Sequence, residues 1–245
     1  MTTTDHLRAE VARRFAALDM PSWPAPHAED SAPAEEEYSR VSEPERYRIV
    51  IERARLWAQV LAEAGAVVVP EAVRSAPAFP WNPEEEPVQR ALRVDPPAGV
   101  AGAAPWWLLE SDVPQNDGGT LPVLRVAVGR PDQVREALPD CGCDACDPGS
   151  ADLLDAVDEA VLGAVSAGVT LTGRCGLLRR RDWHVVWDAS GRAEGDAGPR
   201  WWPFRRLVRA CEELASGGQP ALPRGTRVSI RAAWFPGRSV GASQA

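Results

Sequence analysis

Two runs rich in β-formers, residues 106–110 (Trp-Trp-Leu-Leu-Glu) and 121–128 (Leu-Pro-Val-Leu-Arg-Val-Ala-Val), flank Gln115-Asn116-Asp117-Gly118-Gly119. Asn, Asp and Gly tolerate the positive φ of a tight turn, so this spacing predicts a β-hairpin and with it antiparallel pairing. Around the hairpin, helical and extended segments come in groups rather than in strict alternation. That grouping predicts an α+β fold, a mainly antiparallel sheet packed by helices, with an N-terminal helical segment.

Helical periodicity begins over residues 4–18, where Leu7, Val11, Phe15 and Leu18 share one face. Residues 21–33, rich in Pro, Ala and acid, read as a solvated connector that continues into Glu35-Glu36-Glu37. A second helix is expected from Ser42 to near Gly65, with Ser42 and Glu45 spaced as a capping box. Its stripe of Ile49, Leu56, Trp57, Val60, Leu61 and Ala64 suits burial against the main sheet. Further on, the sequence predicts a short β run at 67–69, a surface loop at 70–87, a strand at 88–94 and a short helix at 132–138. Ser150 caps a helix with Leu153, Leu154, Val157, Val161, Leu162 and Val165 inward, stopped by Gly168. Strands follow at 169–172, 176–180 and 183–188, then a loop at 189–200, a helix from Pro203 to Gly217 and a strand at 226–235. The expected organisation is an N-terminal helix and connector over residues 1–39 and a single α+β domain over 40–240. No internal repeat is visible.

Composition removes several chemistries. All 27 basic residues are arginine. Without lysine there is no Schiff-base nucleophile, no pyridoxal-phosphate (PLP) anchor and no phosphate-loop lysine, and no G-x-G-x-x-G run occurs, so neither a nucleotide nor a PLP cofactor is expected. Three histidines leave little room for a zinc site built on three imidazoles. The formal net charge of −8 disfavours nucleic acid and anionic membrane as partners, leaving an unknown small molecule or protein. The first residues carry no basic, apolar leader, and no run approaches the ~18 apolar residues of a membrane span, which makes a reducing cytoplasm the expected setting. Scarce isoleucine beside abundant Ala, Pro and Arg reads as the composition of a GC-rich genome, a background against which missing lysine needs no functional cause.

The chemically informative segment is Asp140-Cys141-Gly142-Cys143-Asp144-Ala145-Cys146-Asp147, with three of the five cysteines in C-x-C-x-x-C spacing. Random placement would crowd three cysteines this closely only about one time in a hundred. Zn²⁺ takes soft thiolates tetrahedrally, and a glycine-assisted turn lets thiols two and three residues apart face one point. The candidate site is Cys141, Cys143 and Cys146 holding Zn²⁺, with His184 as the expected fourth ligand and Cys175, Asp144 and Asp147 as alternatives. The helix starting near Ser150 would favour thiolate at the preceding turn. Two enzymatic readings use the same cysteines: a metal-dependent hydrolase with an open zinc position, or a thiol-disulfide oxidoreductase using Cys143 and Cys146. A turn with free thiols is the plain alternative.

The run CGCDACD, followed by Pro-Gly-Ser and an acid-containing amphipathic helix, resembles the signature of an uncharacterised actinobacterial protein family, a domain of unknown function, over most of the chain from about Arg40 onward. The resemblance implies no activity and carries over no catalytic residue.

Other features point to less. His27-Ala28-Glu29 with the C-x-x-C imitates the two halves of a zinc deaminase, but His27 lies in the Pro-rich connector more than a hundred residues away. Gly237-Arg238-Ser239-Val240-Gly241 spells a nucleophile elbow with no acid or histidine after it. Among ten tryptophans, Trp106-Trp107 and Trp201-Trp202 should each send one ring inward and one outward unless another element covers it. An outward ring near Arg205, Arg206 and Arg209 would suit a binding platform, while packing between sheet and helices is the ordinary fate of such rings.

Overall fold

A computed structural model describes residues 4–27, 32–79, 82–115, 119–175, 181–195, 198–199 and 201–235. Backbone contacts group the chain into two compact units, residues 1–98 with 105–164, and residues 99–104 with 165–245.

In the first unit, helix α1 (Thr4–Phe15) buries Leu7 and Val11 and stops before Leu18, which is exposed. Helix α2 (Arg48–Glu63) carries the expected stripe, with Ile49, Trp57, Val60 and Leu61 buried. Its start is not the Ser42 capping box. A 3₁₀ turn (Pro44–Tyr47) precedes it, and the Ser42 hydroxyl donates instead to Asp144 at 2.7 Å. With its N–H and hydroxyl both donated to Asp144, Ser42 is fixed at the cysteine turn, and the inserted 3₁₀ turn leaves it too far before Arg48 to reach the free N–H groups of α2.

Five strands form an antiparallel sheet in the order β1-β4-β5-β6-β7: β1 (Val67–Glu71), β4 (Arg90–Asp95), β5 (Trp106–Pro114), β6 (Thr120–Val128) and β7 (Val134–Leu138). The central pair is the hairpin read from the sequence, in register from Trp106 opposite Val128 to Pro114 opposite Thr120. Two expectations fail here. Residues 132–138 give strand β7 rather than a helix, because the β6 edge offers Leu124 to Ala127 as ladder partners. Residues 70–87 are no plain loop: β2 (Ser75–Phe79) and β3 (Asn82–Pro87) form a second hairpin.

The two hairpins explain the fate of the adjacent tryptophans. Alternation puts Trp106, Leu108 and Glu110 on the α2 side, where Arg55 donates twice to Glu110 at 2.8 and 2.6 Å, and Arg90 donates once at 2.6 Å. Trp107, Leu109 and Ala127 face the other way and pack with Ala76 of β2. Trp106 and Trp107 are therefore both buried, the second covered by an element that the sequence did not reveal. Arg125, fully buried on this second face, donates to the Ala78 carbonyl, to Ser111 and to Glu86 of β3.

Helix α3 (Ser150–Val165) turns Leu153, Val157, Val161 and Val165 inward, as its periodicity predicts, with Leu154 and Leu162 half-buried. Beside them lies Asp158, fully buried. Its carboxylate accepts from Arg53 at 2.8 and 2.7 Å, from the Trp57 indole at 2.7 Å and from Arg8 at 3.1 Å. One charge thus ties α1, α2 and α3 together, and four charge-assisted bonds offset its desolvation.

The second unit is a four-stranded antiparallel sheet in the order β10-β9-β8-β11: β10 (Ala193–Gly195), β9 (Arg181–Asp188), β8 (Gly168–Cys175) and β11 (Arg227–Arg231). The strand expected at 176–180 lies outside the described residues. Helix α4 (Phe204–Ala215) starts after Pro203 and covers one sheet face, packing Leu207, Ala210 and Cys211 on Val169, Leu171, Trp183 and Val185. Trp201 is 76% exposed, and Trp202 lies under the Arg206 guanidinium at 4.0 Å.

Charge divides unevenly between the units. The second holds thirteen arginines against six acidic residues, net +7, and the first fourteen against twenty-nine, net −15. Among the described residues, no helix is long and apolar enough to cross a membrane.

Candidate metal centre

The cysteine turn joins β7 to α3 within the first unit. After Pro139 and Asp140, Gly142 takes φ +69°, a conformation that favours glycine, and a Cβ there would meet Leu121 Cδ2 at 2.7 Å, so a larger residue would have to displace that side chain of β6. Cys143 then opens a 3₁₀ turn (Asp144–Cys146), with the Cys146 N–H donating to the Cys143 carbonyl at 3.0 Å. Gly149, at φ +85°, lets the chain pass against the Ala25 backbone before Ser150 starts α3.

This turn brings the Sγ atoms of Cys141, Cys143 and Cys146 within 4.8 Å of one another, all three as free thiols. Cys143 is buried and its neighbours are exposed. Cys141 Sγ donates to Cys143 Sγ at 3.2 Å. Burial works against ionising Cys143, yet hydrogen bonds from the Cys141 and Cys146 thiols and from the Cys146 and Ala145 N–H groups outweigh it and hold its pKa below the ordinary thiol value. Desolvation around the Cys141 sulfur, together with its bond to Cys143, pushes that thiol up to about 12, and the bond to Cys143 raises Cys146 as well. The three sulfurs therefore hold their first negative charge on Cys143, the one on which the thiol and backbone N–H donors converge.

The donor set fits a tetrahedral soft cation. Zn–S bonds of about 2.3 Å place tetrahedral sulfurs roughly 3.8 Å apart, so the 3.2 Å pair has only to open by about half an ångström.

Two carboxylates that the sequence offered as fourth ligands are already committed. Asp144 accepts from Arg40 at 2.6 Å and from the Ser42 N–H and hydroxyl at 2.7 Å each. Burial opposes its ionisation, and those bonds reverse the effect and lower its pKa. Asp147 accepts from the Trp23 indole at 2.8 Å, from Arg46 at 2.5 Å and from the Gly149 N–H at 2.8 Å. Ser150 completes the attachment: its N–H donates to the Trp23 carbonyl at 3.0 Å, and the Trp23 N–H donates to its hydroxyl at 3.1 Å. The stretch read as a solvated connector is thus pinned to the turn at Trp23, whose ring lies 4.8 Å from the Arg46 guanidinium and edge-on to Tyr47. His184 and Cys175 lie on β9 and β8 of the second unit. His27 faces Glu37 at 3.3 Å, and the Gly237–Gly241 run lies outside the described residues.

Beside the thiols is a cleft of about 160 Å³ bordered by Tyr47, Asp140, Cys141, Cys146 and Asp152. The Tyr47 hydroxyl is buried without a well-formed hydrogen bond, and burial pushes its pKa up to about 12.

Residues 11–235, nearly the whole chain, match the model of a family described only as one of unknown function. The chain belongs to DUF6226. No curated protein and no solved structure matches it. For this DUF6226 chain the cysteine turn was visible in the spacing of three residues, whereas its supports Trp23, Arg40, Ser42 and Arg46 lie more than a hundred residues away in sequence and form no local pattern. Asp158 had a signal of its own, an acid three residues before Val161 on the inward stripe of α3.

Proposed function

We propose that this DUF6226 chain is a binding or interaction protein whose C-x-C-x-x-C turn holds one Zn²⁺ in a structural role. The observation that carries the reading is the convergence of three free thiols within 4.8 Å, with backbone N–H groups already directed at the central sulfur. Asp144 and Asp147 already accept from arginines and neighbouring donors, and among the residues bordering the cleft beside the thiols the carboxylates Asp140 and Asp152 are the candidates for the fourth position. A bound cation would neutralise the sulfur charge and clamp the turn between β7 and α3, and its binding free energy would add to the stability of the fold.

Elemental analysis of protein purified under reducing conditions tests this. One zinc per chain is expected, lost in Cys143→Ser, with a lower Tm after chelation. No stoichiometric metal in reduced protein would refute it. The 3.2 Å approach of Cys141 and Cys143 favours one second reading, a redox pair. In that case mild oxidation of metal-free protein removes two titratable thiols reversibly, and the pair formed is Cys141 with Cys143 rather than the C-x-x-C pair.

A further inference from the structure

The second unit carries a cleft of about 550 Å³ whose chemistry is distinct from that of the cysteine turn. Cross-strand register builds its floor. Arg227 of β11 pairs with Thr172 of β8, and Thr172 pairs with His184 of β9, so a guanidinium, a hydroxyl and an imidazole stand in one row on one sheet face. The next row holds Arg174 opposite Asp182, joined at 2.7 Å. The turn into β11, closed by the Thr226 N–H to the Pro223 carbonyl at 3.1 Å, brings Arg224 to the rim. Gly225 in that turn leaves open space where a side chain would project. Helix α4 covers the opposite sheet face, so the row is not core packing.

The charge balance says what belongs there. Three guanidinium groups border the cleft against one carboxylate, and Asp182 is already paired with Arg174, leaving two positive charges uncompensated. Arg224 and Arg227 have no carboxylate partner among the described residues, whereas every described arginine of the first unit except Arg74 has a partner. The second unit holds more arginines than acids, so an unpaired arginine alone says little there; what singles out Arg224 and Arg227 is that both border one concave surface, where the cation fork matches the oxygens of phosphate and carboxylate. The volume falls in the range of small-molecule sites.

We propose that this cleft binds a small, multiply charged anion, a phosphate- or polycarboxylate-bearing molecule. Arg224 and Arg227 are its charge clamp, and the Thr172 hydroxyl hydrogen-bonds its oxygens. The site lies wholly in the second unit and does not depend on the metal reading.

Calorimetric titration of the full chain with pyrophosphate and, separately, citrate at low ionic strength is the test. Saturable one-to-one binding of at least one anion is expected, weakened tenfold or more by Arg224→Ala and by Arg227→Ala. Arg205→Ala is the control, since Arg205 likewise has no carboxylate partner among the described residues but sits on α4 and does not border the cleft. It should leave affinity unchanged, and unaltered circular dichroism and Tm confirm that the variants are folded. The tighter of the two anions identifies the ligand class. No saturable binding of either anion overturns the proposal. So does an equal loss in Arg205→Ala, or a single-stranded oligonucleotide that binds tighter than both anions and is weakened alike by all three substitutions, because either outcome marks a diffuse basic surface.

Discussion

Asp158→Ala is expected to be among the most damaging single substitutions in the first unit. The carboxylate is buried and accepts four hydrogen bonds, two of them from Arg53, whose side chain is only 7% exposed. Truncation strands the Arg53 charge and the Trp57 N–H in a low-dielectric interior, and breaking a buried pair in this way costs about 4 kcal/mol. With a urea m-value of about 2 kcal/mol/M, the unfolding midpoint falls by about 2 M at unchanged m. Asp158→Asn keeps the shape but turns two N–H groups toward arginine donors, and should lose about 3 kcal/mol. Arg8→Ala should lose less than about 1 kcal/mol, because Arg8 is 40% exposed and holds the carboxylate from the solvent side. The discriminating variant is Arg53→Met with Asp158→Leu, which removes both charges and should recover at least half of the single-site loss. Urea unfolding followed by circular dichroism measures all four. An Asp158→Ala loss below about 1 kcal/mol, or a double variant no better than the single, would refute the claim that a desolvated charge pair organises the three helices.

Two further outcomes follow from the same physics. Trp23→Phe keeps a ring beside Arg46 but removes the N–H bonded to Asp147, so it should destabilise by about 1–2 kcal/mol and speed proteolysis within residues 16–33; unchanged unfolding and cleavage would argue that the connector is not anchored there. Burial pushes the Cys211 thiol up to about 11 from its ordinary 9.0, so its contribution is complete below pH 9 and is lost as pH rises toward 11. Stability should fall by up to about 3 kcal/mol over that window, and Cys211→Ala should flatten the slope in urea unfolding between pH 8 and 11, leaving the parts due to Cys141, Cys146 and Tyr47.

What the sequence revealed and what it hid divide along physical lines. The central hairpin was legible because its turn residues and strand runs are contiguous, and α2 and α3 because their apolar positions recur at the helical period. Strand β7 misled because Val134, Ala137 and Leu138 are spaced like a helical face, and only the waiting edge of β6 decides for a strand. The β2–β3 hairpin hid behind prolines and glutamates that signal a loop. It forms because Ala76 and Ala78 turn toward the sheet and because Arg125 supplies a buried cation to which Glu86 can pair. The convergence of Cys141, Cys143 and Cys146 was legible in their spacing, and the scaffold that holds their turn was not. Net charge is coarser still, since −8 is the sum of a strongly acidic and a basic unit and does not show where guanidinium groups collect.

The bond from Trp23 to Asp147 spans 124 residues, and those from Arg40, Ser42 and Arg46 to the same turn span more than a hundred each. A contact of that separation cannot be made early, because the loop it closes must first be ordered by the elements within it. On a nascent chain, Trp23 leaves the ribosome long before its partner exists. Closing these contacts costs more chain entropy than closing the C-x-C-x-x-C turn itself, so the spacing of the three thiols is a local matter while their anchorage to the N-terminal segment is a long-range one, and a change in that segment can loosen the turn without touching a cysteine.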